Sequence, residues 1–168
     1  MKDLRFAIIT VSDRSSRGER PDTSGPALAD YIKSKDGMIK YQSIIPDDFE
    51  RIKTELTTLS DDPEVDIILT TGGTGVSSRD VTPEATLSIA ERLIPGIHEY
   101  IRAKSMQITA HAMLSRAIAA IRKQTIIINL PGNPKGAVES LDFVQNILPH
   151  AVAQLRGLSS AQDHKPRD

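Results

Sequence analysis

The stretch VDIILTTGGTG, residues 65–75, joins a short apolar run to a glycine-rich loop, and this junction decides the fold. Isoleucine- and valine-rich runs without polar alternation are typical of strands buried on both faces of a parallel sheet. FAIITV at 6–11 and TIIINL at 125–130 share that pattern, whereas MIKYQSII at 38–45 alternates as a strand near the edge does. Because helical patterns separate the runs, we predict an α/β fold, a three-layer sandwich whose mainly parallel sheet carries helices on both faces.

Residues typical of helix starts and helix ends lie between these runs. Thr82 and Pro83 form a cap and first-turn pair, and apolar residues follow at helical spacing as far as Leu93. Residues 117–124 allow two interpretations, the end of a long helix or one antiparallel strand that forms a hairpin with 125–130. The helices predicted in this way span 24–37, 48–59, 82–94, 97–120, 137–148 and 149–157.

The composition restricts the class of protein. With 168 residues the chain has the size of one domain, which we place at 1–158, followed by a polar tail at 159–168. A net charge of −1, 4% aromatic residues and the lack of tryptophan disfavour a nucleic-acid-binding protein, and the lack of cysteine excludes thiolate sites. No apolar run approaches the roughly 20 residues of a membrane-spanning helix, and no signal peptide pattern is present. We therefore predict a cytoplasmic protein without a membrane partner.

The loops that follow the four apolar runs are the candidate site. In parallel α/β sheets, ligands bind beyond the carboxyl ends of the strands, which meet at one rim. The loops at this rim are 12–25, 46–48, 72–84 and 131–136. The charged side chains that they bring to the rim are Asp13, Arg14, Asp47, Arg79, Asp80 and Lys135.

The glycine-rich loop is the most informative of the four. Glycine permits close approach of the backbone, so the amides of GGTG can turn toward an anion, and the helix that starts at Pro83 offers further N–H groups. Phosphate suits such a site, although neither the P-loop nor the dinucleotide pattern occurs. Asp80 could hold Mg²⁺ beside a phosphate. Taken alone, GGTG is slightly more typical of a structural turn than of a ligand site, and Asp47 alone is more typical of a helix cap. Their convergence on one rim favours a site.

Other chemistries find no support in the sequence. Histidines 98, 111, 150 and 164 lack metal-ligand spacing and are interpreted as surface residues or satisfied core residues. There is no G-x-S-x-G nucleophile motif. The chemistry at the rim must therefore be carried out by carboxylates, a bound metal ion and backbone amides. This set suits phosphoryl or nucleotidyl transfer, where positioning and charge neutralisation dominate.

The chain also resembles a known family. Several motifs, in their order along the chain, resemble those of the Mog/MoaB family of molybdenum-cofactor proteins. They are SDR at 12–14, IPD at 45–47, TTGGTG followed by RDVTPEAT, LSRA at 114–117 and INLPGNPKG at 128–136. The resemblance covers essentially the whole chain. It implies that Mg-ATP and molybdopterin are converted to adenylyl-molybdopterin and pyrophosphate. It also implies a homotrimer and a MoeA-type partner that inserts molybdate.

The resemblance assigns roles to individual residues. The family's two functional aspartates fall on Asp47 and Asp80, which makes both catalytic and Asp80 the Mg²⁺ ligand. The terminal phosphate of molybdopterin would attack the α-phosphorus of ATP, and being already anionic it requires no strong base. The residues expected to contact substrate or nucleotide are Ser12, Asp13, Gly72, Gly73, Thr74, Gly75, Thr82, Pro83, Glu84, Ser115, Arg116, Pro131, Gly132, Pro134 and Lys135.

An alternative within the same family is a non-catalytic molybdopterin-binding or scaffolding protein of the MoaB branch. That branch departs from RDVTPEAT and from LPGNP, and this chain keeps the Mog-like form at both places, which favours an active enzyme. A molybdate-insertion protein is disfavoured because such proteins carry additional domains. Trimer against hexamer, and molybdenum against tungsten, stay open at this stage.

Overall fold

A six-stranded sheet forms the middle of the protein, whose computed structural model describes residues 1–158. Its strand order is β2-β1-β3-β6-β5-β4, and the strands are β1 Arg5–Val11, β2 Met38–Ile45, β3 Ile67–Thr71, β4 Arg92–Leu93, β5 Ala119–Arg122 and β6 Thr125–Leu130. The first four strands of that order are mutually parallel, and β5 is antiparallel to both of its neighbours. The predicted mainly parallel sheet with one antiparallel strand is therefore confirmed. The predicted tail at 159–168 lies outside the described residues.

Residues 1–158 contain seven α-helices, of which five connect strands and two follow the last strand. They are α1 Asp13–Ser16, α2 Ser24–Ser34, α3 Phe49–Ser60, α4 Thr82–Ile89, α5 Pro95–Met106, α6 Pro134–Val144 and α7 Leu148–Leu155, with 3-10 helices at Ala110–Leu114 and Gln145–Ile147. Side-chain caps fix three of the α-helix starts: Ser12 accepts from the Ser15 amide before α1, Asp48 from the Arg51 amide before α3, and Asn133 from the Gly136 amide before α6. No helix in this part of the chain is long and apolar enough to cross a lipid bilayer.

Alternate residues of the central strands pack into two separate hydrophobic cores, one on each face of the sheet. Phe6 and Ile8 of β1 pack toward α2, α5, α6 and α7, whereas Ala7 and Ile9 pack toward α3 and α4. All four side chains are fully buried. This is why the central runs are continuously apolar, since both faces of each strand lack solvent. The predicted three-layer arrangement is confirmed.

The predicted helix 82–94 is wrong at its C-terminal end. The helix stops at Ile89, and β4 follows at Arg92–Leu93. The apolar spacing that suggested a longer helix is not a buried stripe, because Leu87 and Leu93 are 54% and 50% exposed. Pairing with β5 prevails instead: the Glu91 amide donates to Ile121 and the Ile94 amide to Ala119. A tertiary contact thus overrides local helical periodicity.

The predicted helix 97–120 is also wrong beyond Met106. Helix α5 ends there, a 3-10 turn follows, and β5 then pairs with β6 through the two residues Lys123 and Gln124. Lys123 has a φ of 51°, the left-handed conformation that tight hairpins need. Of the two interpretations of 117–124, the hairpin is therefore confirmed.

Asn129 is a buried polar residue in the middle of the apolar strand β6. Its side chain is fully buried, its amide donates to the hydroxyls of Thr70 at 3.0 Å and Thr86 at 2.9 Å, and its carbonyl accepts from the Ile118 amide at 3.3 Å. These bonds tie two strands, helix α4 and the chain entering β5 to one side chain. Buried polar groups of this kind are stable only while every partner is present.

We predict that Asn129→Leu lowers the free energy of unfolding by about 3 kcal/mol, because it leaves the Thr70 hydroxyl and the Ile118 amide without partners. It also removes one of the two hydrogen bonds of the Thr86 hydroxyl, which still donates to the Thr82 carbonyl. Urea denaturation at neutral pH would measure the loss. The matched control is Asn146→Leu, since Asn146 is exposed and the same change there should stay within about 0.5 kcal/mol of wild type. Equal stabilities of the two variants would contradict the role given to Asn129.

Candidate active site

Gly72 lies where three loops of the rim meet. Its φ is 106°, and a Cβ placed on it would lie 2.2 Å from the carbonyl oxygen of Val11. A Cβ on Gly132 would in turn lie 3.2 Å from the Gly72 Cα. The Gly72 amide donates to the Leu130 carbonyl. Glycine at 72 therefore serves the close packing of the loops after β1, β3 and β6, and its amide is not available to a ligand.

The next three residues leave their amides available. Gly73 has a φ of 63°, and a Cβ there would lie 2.2 Å from the Thr82 hydroxyl. Thr82 fixes this turn, because its hydroxyl donates to the Gly72 carbonyl and its amide to the Gly73 carbonyl. Within residues 1–158, the amides of Gly73, Thr74 and Gly75 donate no hydrogen bond. Three adjacent N–H groups can thus bind an anion, as in other backbone nests.

Two aspartates flank this glycine-rich loop. A Cβ on Gly73 would lie 3.2 Å from an oxygen of Asp47, and one on Gly75 would lie 3.0 Å from an oxygen of Asp80. The same Asp80 oxygen accepts from the Ser77 amide at 2.9 Å, which fixes the carboxylate within its loop. The two carboxylates therefore stand beside residues only two positions apart in the chain.

Asp13 joins the first of these aspartates to the loop after β1. The Asp13 amide donates to Asp47 at 2.7 Å and the Asp47 amide donates to Asp13 at 3.1 Å, so each carboxylate holds the other backbone. Burial raises the pKa of Asp47, the bond from the Asp13 amide opposes that rise, and the negative charges of Asp13 and Asp80 add to it. Arg79 acts in the lowering direction. The excess negative charge at this point suits a cation.

The carboxylates at this rim resemble the protein ligands that Mg²⁺ requires. Mg²⁺ commonly binds through one or two carboxylates, with the remaining ligands coming from phosphate oxygens and water. Asp47 and Asp80 meet that description. No group of three or more carboxylate or histidine ligands occurs in residues 1–158, so an ion here would need oxygens from a substrate or water. The residues present therefore fit a magnesium ion that arrives with a phosphate.

Two cavities border the glycine-rich loop. The Asp47 cavity, of about 540 Å³, is lined by Ser12, Asp47, Gly72, Gly73, Gly132 and Pro134, among others. The His98 cavity, of about 380 Å³, is lined by Thr74, Gly75, His98, Ser115, Pro131 and Lys135, among others. Asn133 borders both. The single rim predicted from the sequence thus holds two cavities. Of the residues with free amides, Gly73 lines the Asp47 cavity, and Thr74 and Gly75 line the His98 cavity.

The remaining predicted site residues line neither cavity. Thr82 and Pro83 are buried in the start of α4, and Glu84 pairs with Arg116. Arg116 donates to the Gly75 carbonyl at 2.6 Å and also to the Asp80 carbonyl. These residues hold the loop from Gly75 to Asp80 in place rather than reaching toward a ligand. Asp13 and Asp80 act at its ends through the contacts given above.

Several cavity residues were not anticipated from the sequence. Arg20 and Asp22 line the Asp47 cavity, and Arg102 lines the His98 cavity. Asp22 is bound to the Thr10 hydroxyl and to the amides of Ser24 and Gly25, so it shapes the start of α2. For Arg102, the sequence offered one signal: it lies four residues after His98, a spacing that places both side chains on one face of a helix.

His98 corrects the expectation that each histidine is exposed or satisfied. It is 5% exposed, and within the described chain its Nε2 atom has no hydrogen-bond partner. Burial lowers its pKa to about 4, the positive charge of Arg102 acts in the same direction, and a hydrogen bond with the Ile118 backbone opposes both. His98 is therefore neutral at physiological pH.

This low pKa predicts a loss of stability in acid. The folded pKa of about 4 lies below the usual 6.5, so the unfolded chain takes up a proton first as the pH falls. We expect the free energy of unfolding to decrease between pH 6.5 and 4, by up to about 3 kcal/mol from this group. His98→Leu should remove that part of the pH dependence, whereas His111→Leu, at an exposed site, should retain it. Parallel pH profiles for wild type and His98→Leu would contradict the prediction.

The fold and the site together define a class: an α/β protein with a candidate anion site beyond the carboxyl ends of parallel strands, where such proteins bind ligands. Residues 7–150 match the family described as a probable molybdopterin binding domain, and the chain belongs to that family.

Relatives with named functions are similar over most of their length. The molybdopterin adenylyltransferase of Escherichia coli K12 is 39% identical over an alignment of 158 residues, and the match covers 90% of this chain and 81% of that protein. The molybdopterin adenylyltransferase of Helicobacter pylori is 35% identical, covering 94% of this chain and 90% of that protein. Among solved structures, the molybdopterin biosynthesis enzyme MoaB of Thermus thermophilus has a TM-score of 0.86 at 42% identity, covering 92% of this chain and 97% of that chain.

Proposed function

We propose that this protein is a molybdopterin adenylyltransferase, a nucleotidyltransferase of molybdenum cofactor biosynthesis. It transfers AMP from Mg-ATP to the terminal phosphate of molybdopterin and releases pyrophosphate. The observation that carries the proposal is the glycine-rich loop with its three free amides, which borders two cavities and has Asp47 beside Gly73 and Asp80 beside Gly75. Two substrates that react through their phosphates require such a meeting point. The named relatives support the same reaction.

The residues of the loop would bind and orient the reacting phosphates. The amides of Gly73, Thr74 and Gly75 would donate to phosphate oxygens, at the place where charge accumulates in the transition state. Asp80 and Asp47 would hold Mg²⁺, which neutralises phosphate charge when bound. The attacking phosphate is already anionic at neutral pH, so no side chain is needed as a general base. Arg116 and Thr82 would keep the loop rigid during the transfer.

The two cavity walls would position the two substrates. On the side of the Asp47 cavity, Ser12, Gly132 and Pro134 are the proposed contacts. On the side of the His98 cavity, Ser115, Pro131 and Lys135 are the proposed contacts. The Lys135 side chain is 82% exposed and its ion pair with Glu139 is long, at 3.8 Å, so it can turn toward an anionic ligand.

The homotrimer and the MoeA-type partner belong to the same proposal. Self-association is supported by exposed apolar side chains along α5 and the 3-10 helix that follows it. These are Tyr100, Met106, Ile108, Met113 and Leu114, which are 42–61% exposed. An unpartnered apolar surface of this kind is typical of a protein interface. The partner that accepts adenylyl-molybdopterin follows from the resemblance to the Mog/MoaB family.

The test is a reconstituted reaction. Purified protein is incubated with molybdopterin, Mg²⁺ and ATP labelled at the α-phosphate, and the products are separated by chromatography. We expect labelled adenylyl-molybdopterin and an equal amount of pyrophosphate, and neither product when molybdopterin or Mg²⁺ is omitted. Tight binding of molybdopterin without labelled product would instead favour the non-catalytic binding protein and would overturn the proposed reaction.

A further inference from the structure

Arg79 carries a contact that the proposed reaction does not yet use. Its guanidinium holds Asp13 with two nitrogens, at 3.1 Å from Nε and at 2.9 and 3.0 Å from Nη2. Asp13 and Asp47 form two reciprocal hydrogen bonds, in which the backbone amide of each donates to the carboxylate of the other. The three side chains therefore form one connected chain from the loop after β3 to the loops after β1 and β2.

We propose that Arg79 is an exchangeable counter-ion of these aspartates and a phosphate-binding residue of the transferase. In the protein alone its guanidinium neutralises Asp13. When a divalent cation joins the carboxylates, Arg79 leaves Asp13 and binds a phosphate oxygen of the nucleotide. This inference rests on the proposed function for the identity of the phosphate, but not for the competition with the cation.

The ion pair can exchange at low cost. The Arg79 side chain is 61% exposed and that of Asp13 is 24% exposed. Exposed pairs contribute only about 0–1 kcal/mol, because solvent screens them and two long side chains must be held in place. A divalent cation beside the same carboxylates would compete successfully. The guanidinium that is released has the planar fork that binds phosphate in a bidentate manner.

The backbone of the loop allows this exchange without a larger rearrangement. Three hydrogen bonds fix Asp80. Its carboxylate accepts from the Ser77 amide, its amide donates to the Ser77 carbonyl, and its carbonyl accepts from Arg116. Arg79 is the residue next to it, and its side chain extends into solvent from a fixed backbone position. A rotation about side-chain bonds is enough to move the guanidinium from one partner to another.

The distribution of charge requires such a counter-ion. Asp13, Asp47 and Asp80 place three carboxylates around the glycine-rich loop, and a nucleotide adds further negative charge. Arg79 is the positive side chain that acts on Asp47 in the described chain. With a divalent cation present, the carboxylates no longer need Arg79, and its charge becomes available to the phosphates.

The deciding measurement is the affinity of the protein alone for Mn²⁺, in which the free Mn²⁺ is detected by electron paramagnetic resonance. Removing a competing positive charge by Arg79→Ala should tighten Mn²⁺ binding roughly three- to tenfold. The matched control is Arg14→Ala, which removes an exposed arginine of α1 and should change the affinity less than about twofold. A merely structural tether predicts unchanged or weaker binding in Arg79→Ala.

The second measurement is binding of inorganic tripolyphosphate in the presence of Mn²⁺, by titration calorimetry. Arg79→Ala should weaken it about tenfold, with Arg79→Lys intermediate, because lysine keeps the charge but loses the fork. Mn²⁺ binding that is absent from wild type, or no tighter in Arg79→Ala than in Arg14→Ala, would overturn the inference. Both measurements are independent of adenylyl transfer, so the proposed function can fail while this inference holds, and the reverse.

Discussion

Asp80→Asn is expected to reduce the rate of adenylyl transfer by about 10²–10³-fold, the size of effect seen when one group that stabilises transition-state charge is removed. Asparagine has nearly the same shape as aspartate, and its side-chain oxygen can still accept from the Ser77 amide, as the carboxylate does at 2.9 Å. The loop should therefore keep its conformation. What is lost is the negative charge that would hold Mg²⁺ beside Gly75.

A matched control separates charge at the site from charge in its neighbourhood. Asp48→Asn makes the same change one residue after Asp47, where the side chain caps α3 by accepting from the Arg51 amide. Asparagine caps a helix as well as aspartate does, so this variant should be fully active. Single-turnover formation of adenylyl-molybdopterin and thermal unfolding would be compared for both variants. Full activity of Asp80→Asn, or equal loss in Asp48→Asn, would remove Asp80 from the proposed mechanism.

The sheet could be predicted because its signal is local. Each central strand is apolar throughout, since helices cover both faces, and this pattern is visible in a few consecutive residues. The ends of α4 and α5 could not be predicted, because the backbone around Arg92 and Ala119 is decided by pairing between segments about 30 residues apart. Leu87 and Leu93 suggested a longer helix although both are exposed.

The site was predictable to a similar degree. The parallel sheet brings Asp47, Asp80 and the glycine-rich loop to one rim, and the structure shows both aspartates beside that loop. The division into two cavities, the buried state of His98 and the inward direction of Arg116 depend on partners distant in sequence. A single sequence gives a residue type at each position, but not the direction in which its side chain points. The amide of Gly72 is an instance, since it is used by Leu130 and not by a ligand.

Gly72→Ala is the second change for which we expect a large effect, a loss of about 3–5 kcal/mol in the free energy of unfolding. A φ of 106° is a conformation that only glycine adopts readily, and forcing another residue into it costs about 1–3 kcal/mol. The added methyl group would also lie 2.2 Å from the Val11 carbonyl, and overpacking of this kind costs a further 1–3 kcal/mol or so. Because β1 and β3 lie in the middle of the sheet, neither strand end can move away freely.

Two other glycines separate these contributions. Gly18 has a φ of 72° with no atom near its Cβ position, so Gly18→Ala should cost about 1–2 kcal/mol from backbone strain alone. Gly96 has neither a positive φ nor a close neighbour, and Gly96→Ala in helix α5 should lie within about 1 kcal/mol of wild type. Urea denaturation of the three variants should therefore give the order Gly72, Gly18, Gly96 from largest loss to smallest. A loss in Gly72→Ala no greater than in Gly18→Ala would mean that the loops after β1 and β3 can separate. Glycine would then be required at position 72 for its backbone conformation and not for the close packing of the rim.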